Sequence, residues 1–122
     1  ADTDWDLVML PGGLPGAYPL RDNPAVQRLI IRQHRANGLL AAICAAPIAL
    51  GKAGVLEGKQ ATCYPGFEPE LKGAAVNQKQ VVRAGNVITS RGPGTAMALA
   101  LELVGVLVNQ AKADELRQKM LV

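Results

Sequence analysis

Leu39-Leu40-Ala41-Ala42-Ile43-Cys44-Ala45-Ala46-Pro47 is a wholly apolar run that leads straight into a thiol and on into small residues. A run without alternation fits a strand buried on both faces, as in a parallel sheet. The reading is a strand over Leu39 to Ile43, a sharp turn at Cys44, and a short helix from Pro47 to about Ala53, closed by Gly54. The sulfur then stands at the apex, near a helix N-terminus, where unpaired N–H groups and the macrodipole favour the thiolate. The thiolate is the form that attacks carbonyls or peroxides. A free cysteine can also be a small buried hydrophobe. The strand, turn and helix setting favours a nucleophile, by analogy with nucleophile elbows.

Upstream, Trp5 to Leu10 reads as a short strand stopped by Pro11-Gly12-Gly13. Asn23-Pro24 opens a helix, with Asn23 as N-cap and Pro24 at the first helical position. Val26, Leu29, Ile30 and Gln33 share one face of it at helical spacing, while Arg28, Arg32 and Arg35 face solvent. Asn37-Gly38 ends it in the manner of a left-handed cap. Downstream, Val55 to Lys59 is a turn and Gln60 to Tyr64 a strand, with one helical turn expected within Phe67 to Leu71. Gln80 to Arg83 and Val87 to Ser90, joined by Ala84-Gly85-Asn86, carry a hairpin signal. Gly92-Pro93-Gly94 leads into an apolar helix from about Thr95 to Val108, and Ala111 to Leu121 forms a last amphipathic helix with Leu116 and Met120 on one side.

Alternation of strands and helices in this order predicts an α/β sandwich with a mainly parallel sheet. The first strand, Leu7 to Leu10, is apolar on both faces, yet only Ala1-Asp2-Thr3-Asp4 precede it. The chain therefore reads as the C-terminal portion, residues 1–122, of a single domain whose first βα unit lies elsewhere.

Composition narrows the function classes. With 122 residues, 49% hydrophobic and only 3% aromatic, the chain builds one core from Ala, Leu, Val and Ile. No apolar run reaches the roughly 18 residues of a membrane helix, and no signal-peptide pattern opens the chain. A soluble, cytoplasmic protein is the expectation. The net charge of +3 comes from scattered basic residues with no aromatic interleaving, which argues against specific nucleic-acid binding. Cys44, Cys63 and the single His34 make neither a disulfide scaffold nor a metal spacing. His34, near the end of a basic helix, reads as a cation that offsets the dipole.

In a parallel sheet, ligands bind beyond the C-terminal strand ends, which puts Gly13 and Cys44 on one edge. The amides of Gly13 and Ala45 could form an oxyanion hole there. Pro-Gly-Gly is equally a plain turn. Gly92-Pro93-Gly94-Thr95 is a capping turn or an anion site; it lacks a phosphate-loop lysine. Arg91 beside it could hold a carboxylate or simply be solvated. Cys63 is a second redox thiol or a packing residue, and Tyr64 is the better candidate to line a pocket.

Three segments together, Asp6-Leu7-Val8-Met9-Leu10-Pro11-Gly12-Gly13, Ala41-Ala42-Ile43-Cys44-Ala45-Ala46-Pro47 and Thr89-Ser90-Arg91-Gly92-Pro93-Gly94-Thr95, resemble the DJ-1/ThiJ/PfpI superfamily, nearest its DJ-1 and YajL branch. The resemblance implies a flavodoxin-like three-layer α/β sandwich that forms a homodimer and needs no cofactor or metal. It implies that Cys44 is the reactive, easily oxidised cysteine, with Gly13 and Ala45 as backbone donors. Gly12, Tyr64, Arg91, Gly92 and Pro93 line the pocket, and Gly92 and Pro93 approach the neighbouring subunit. Tyr64 stands where DJ-1 carries a pocket histidine, which YajL-like members also lack. Ala45 stands where PfpI-type proteases place a histidine after the nucleophile, which argues against a Cys-His dyad. Family members carry about 50–60 further residues before the Asp-Leu-Val strand, in keeping with domain size. These include a glutamate that hydrogen-bonds the cysteine. A separate N-terminal peptide would complete the domain, and without it activity is not expected.

The resemblance implies two functions, beside which a third, bland one stands. One is an enzyme acting on reactive carbonyls, a glutathione-independent glyoxalase or a deglycase that protects against oxidative stress. Another is a non-enzymatic redox sensor or chaperone that works through oxidation of Cys44. The third is an inactive interaction module whose cysteine only packs.

Overall fold

The computed structural model describes residues 5–122; the stretch before the first strand falls on residues 1–4 and lies outside them. Four strands form the main sheet: β1 (Leu7–Leu10), β2 (Leu39–Ile43), β5 (Val81–Ala84) and β6 (Val87–Ser90), in the order β1-β2-β6-β5. β1 and β6 both pair parallel to β2, and β5 returns antiparallel to β6. This is the mixed α/β fold with a mainly parallel sheet that the alternation predicts.

All five residues of β2 are buried, because both faces of the sheet are covered there. Leu40 and Ala42 pack with Val8, Leu10, Ile30, Ile48 and Leu50, on the side of helices α1 (Ala17–Asp22), α2 (Pro24–Arg35) and α3 (Pro47–Lys52). Leu39, Ala41 and Ile43 pack with Ile88, Leu99 and Leu103, on the side of helix α4 (Ala96–Leu107). Small alanines at the strand centre let the helices approach closely.

The caps sit as the sequence reads. Asn23 Oδ1 accepts from the amides of Ala25 and Val26 at 2.8 and 3.4 Å, and Asn37 takes the left-handed conformation after α2 with φ of 58°. Gln33 is buried and donates to the Trp5 and Leu39 carbonyls at 2.8 and 3.1 Å, tying α2 to β1 and β2. The hairpin turns through Gly85-Asn86, with Gly85 at φ 62°; Asn86 Nδ2 donates to the Asn37 carbonyl at 2.6 Å.

Several elements differ from expectation. α1 is an additional helix, written in Ala17-Tyr18-Pro19-Leu20-Arg21-Asp22, where two nearby prolines hide a helical pattern; Pro19 lies in its first turn, where no amide is required. The strand expected from Gln60 to Tyr64 is only Gln60–Ala61 (β3), paired parallel with Ala75–Val76 (β4) as a separate two-stranded sheet. Thr62 leaves that ladder because its amide donates to Thr89 Oγ1 at 3.0 Å. The helix expected from Thr95 begins as a 3₁₀ turn over Pro93–Thr95, and the last helix, α5 (Gln110–Met120), buries Ala113 while Met120 is exposed. The turn within Phe67 to Leu71 is a 3₁₀ turn over Glu68–Glu70.

Candidate active site

β2 ends at Ile43 and the next residue, Cys44, has φ of 65°. That left-handed conformation is costly for a residue with a side chain and is held only where its surroundings determine it. Here three contacts do so. The Cys44 amide donates to the Ser90 carbonyl at the end of β6 (3.0 Å), the Tyr64 amide donates to the Cys44 carbonyl (2.8 Å), and the Ala46 amide donates to the Ile43 carbonyl (3.1 Å). The chain thus reverses at Cys44 and enters α3 at Pro47, leaving the thiol half-buried at the C-terminal edge of the parallel strands.

Gly12, just past β1, packs directly against this elbow. Gly13 follows at φ of 99°, exposed, and its carbonyl accepts from the Ala17 amide at 3.0 Å, starting α1. Among the described residues, none accepts from the amides of Gly13 or Ala45. Two donors on the two loops that meet at the thiol are therefore available to an oxygen atom.

On the far side lie Tyr64 and the loop after β6. Tyr64 is exposed, and a Cβ on Gly92 would meet its ring at 3.5 Å. Gly92 is fixed by Thr95, whose Oγ1 accepts from the Gly92 amide (3.1 Å) and lies 2.6 Å from Ser90 Oγ; Ser90 Oγ also donates to the Gln80 carbonyl (2.8 Å). Thr95 takes the capping role that its turn suggested, whereas Ser90 was not singled out, although two hydroxyls flanking a Gly-Pro-Gly turn are a legible signal. Arg91 is half-buried with its amide on the Gln80 carbonyl (3.1 Å), and Pro93 is exposed at the rim.

Cys63 is 1% exposed. Burial pushes its thiol up to about 11, aided by the negative charge of Glu68 and opposed by Arg91. Burial and a thiol held protonated in this way favour the packing reading of Cys63 over the reactive one. Burial and the nearby Lys59 lower the affinity of His34 for a proton, which works against its reading as a cation at the helix end. The clefts of about 340 Å³ beside Gln80, Glu102 and Arg117 and about 310 Å³ beside Arg21, Lys52 and Glu70 both lie away from Cys44. No group of three His, Cys, Asp or Glu side chains among the described residues could hold a metal, and no described helix is long and apolar enough to cross a membrane.

Comparison with known proteins places this arrangement. The family model described as DJ-1/PfpI family matches residues 1–105. Protein dj-1beta of Drosophila melanogaster is 44% identical over 100% of this chain and 66% of its own length. Its crystal structure superposes with a TM-score of 0.92, covering 98% of this chain and 65% of that one. The glutathione-independent glyoxalase DJR-1.2 of Caenorhabditis elegans is 34% identical over 92% of this chain and 60% of its own. A structure of Toxoplasma gondii DJ-1, oxidized, is 33% identical with a TM-score of 0.89, covering 98% of this chain and 65% of that one. The chain spans less than two thirds of the length of each of these proteins.

Proposed function

The chain belongs to the DJ-1/PfpI family, and from that premise we propose that it serves a DJ-1-like protein acting on reactive carbonyls, with Cys44 as nucleophile. The reaction is that of a glutathione-independent glyoxalase, which turns a 2-oxoaldehyde such as methylglyoxal into the 2-hydroxy acid. What supports this reading is the half-buried thiol at a left-handed elbow, with Gly12 packed against it and the amides of Gly13 and Ala45 unclaimed among the described residues.

The Cys44 thiolate adds to the aldehyde carbon, and the carbonyl electron pair becomes an oxyanion held by the two amides. The carbon-bound proton of the hemithioacetal then leaves to a base and returns to the neighbouring carbon through an enediol. Water hydrolyses the resulting thioester, releasing lactate and the free thiol, so that methylglyoxal and one water account for every atom of the product. The base is the carboxylate that the family resemblance implies upstream of Asp6. Removal of early glycation adducts by the same thiol belongs to this reading. So do a homodimer in which Gly92 and Pro93 border the partner's site and a cytoplasmic setting, where free thiols persist.

A second reading is redox sensing, in which peroxide oxidises Cys44 to the sulfinate and the same amides hold its oxygens. The oxidized state of the Toxoplasma relative favours keeping it. Methylglyoxal turnover by the full-length protein and its Cys44→Ser variant separates the two. Turnover lost in the variant supports the carbonyl reading, and turnover retained overturns it. A parent protein without turnover, whose Cys44 gains two oxygens in mild peroxide, leaves the sensor.

A further inference from the structure

Arg21 lies at the end of α1, and its hydrogen bonds join that helix to the segment that follows Tyr64. Its Nη1 donates to Glu70 Oε1 at 2.8 Å across 49 residues of chain, while Nε and Nη2 hold Asp22 at 2.7 and 2.8 Å. The guanidinium also stacks over the Tyr18 ring, 5.0 Å from its centroid. All three nitrogens are thus committed, which leaves the head group one orientation.

Each partner leads back to Cys44. From Glu70 the path runs through consecutive tight turns: the Glu70 amide on the Phe67 carbonyl (3.0 Å), the Phe67 amide on the Tyr64 carbonyl (3.2 Å), and the Tyr64 amide on the Cys44 carbonyl (2.8 Å). Within this segment Glu68 Oε1 accepts from the Gly66 amide at 2.7 Å, so it is braced internally as well. From Arg21 the path runs back along α1 to the Gly13 carbonyl, which receives the Ala17 amide, and so to Gly12 against the elbow. Behind the junction, Gly51 of α3 leaves no room for a side chain against the Glu70 carbonyl, which seats the segment on the helix that Cys44 opens.

These contacts close a ring: Cys44, Tyr64, Glu70, Arg21, Gly13 and Gly12. We propose that the Arg21–Glu70 ion pair is a positioning pair for the Cys44 site. It fixes the spacing between the Gly13 donor and Tyr64 from outside, in a protein whose chemistry is the carbonyl reaction proposed above. Neither residue touches the substrate. The pair is partly exposed, so its contribution is to geometry rather than to global stability.

The test uses the full-length protein and its Glu70→Ala, Glu70→Gln and Arg21→Lys variants, with three readings. Amide exchange at Tyr64, Phe67 and Ala17 follows the two arms, iodoacetamide alkylation follows Cys44, and methylglyoxal kinetics give kcat and KM. In Glu70→Ala, exchange on both arms and Cys44 alkylation are expected to quicken while the melting temperature stays near that of the parent. kcat is expected to fall about fivefold with KM little changed, as for an interaction that matters in the transition state. Glu70→Gln and Arg21→Lys, which keep a hydrogen bond, fall between. Exchange and alkylation equal to the parent in Glu70→Ala overturn the proposal. Faster exchange with unchanged kcat confines the pair to the scaffold and overturns its positioning role. A parent without carbonyl turnover removes the carbonyl reading, and the exchange and alkylation rates then decide the pair alone.

Discussion

Gly12 leaves no room for a side chain against Cys44: a methyl group on the Gly12 Cα would stand 2.6 Å from the Cys44 Cβ and 2.7 Å from the Ile43 carbonyl oxygen. Neither atom can yield cheaply, because one belongs to a main chain fixed by hydrogen bonds and the other to a residue already at positive φ. Gly12→Ala is therefore expected to displace the elbow, at a cost of about 1–3 kcal/mol in urea unfolding, and to slow alkylation of Cys44 severalfold. Gly13→Ala is the contrast. Nothing lies within 4 Å of its Cβ position, but φ of 99° makes any side chain strained, so stability falls while Cys44 keeps its place.

The thiol of Cys63 gives a pH dependence. Its folded value, about 11, is above the ordinary 9.0, because burial disfavours the thiolate. The unfolded chain therefore releases this proton first. The stabilisation is full below pH 9.0 and is lost as pH rises toward and through about 11. The slope removes about 2 kcal/mol at most across that window. Urea midpoints measured from pH 8 to 11 should fall more steeply for the parent than for Cys63→Ala, and equal slopes would contradict the assignment.

Gln33 offers a test of the join between helix and sheet. Its side-chain amide serves the carbonyls of Trp5 and Leu39 together, from a position 4% exposed. Gln33→Leu keeps the volume but strips the buried Leu39 carbonyl and the part-buried Trp5 carbonyl of their donor, which costs about 1–3 kcal/mol. Equilibrium unfolding in urea measures it. A change under half a kilocalorie would show that water replaces the lost donor.

The central strand, the elbow and the hairpin were legible because each has a local cause: a continuous apolar run, a cysteine between that run and Pro47, and Gly85-Asn86 between β-branched segments. Gln33 on the buried face of α2 was legible from spacing. α1 was not, since six residues around Pro19 carry no period long enough to read. Thr62 to Tyr64 was mistaken for strand because apolar content does not reveal that Thr89 would intercept the Thr62 amide. At the site, Cys44 was legible from the strand, turn and helix around it, whereas Gly12 and Gly92 entered only through the family resemblance of three motifs. The Arg21–Glu70 junction spans 49 residues and depends on the tertiary path, so no local pattern announces it.

β2 carries the thiol at one end and receives Asn37 and Asn86 at the other, with Leu40 donating its amide to the Asn86 carbonyl at 2.8 Å. Five residues of extended chain hold these ends about 16 Å apart. The molecule is accordingly polarised, with the thiol-bearing loops at one end of the strand and two asparagines at the other. An affinity handle, a fluorophore or a surface tether grafted through the Gly85-Asn86 bend would sit at the asparagine end, leaving the thiol end free to meet small molecules.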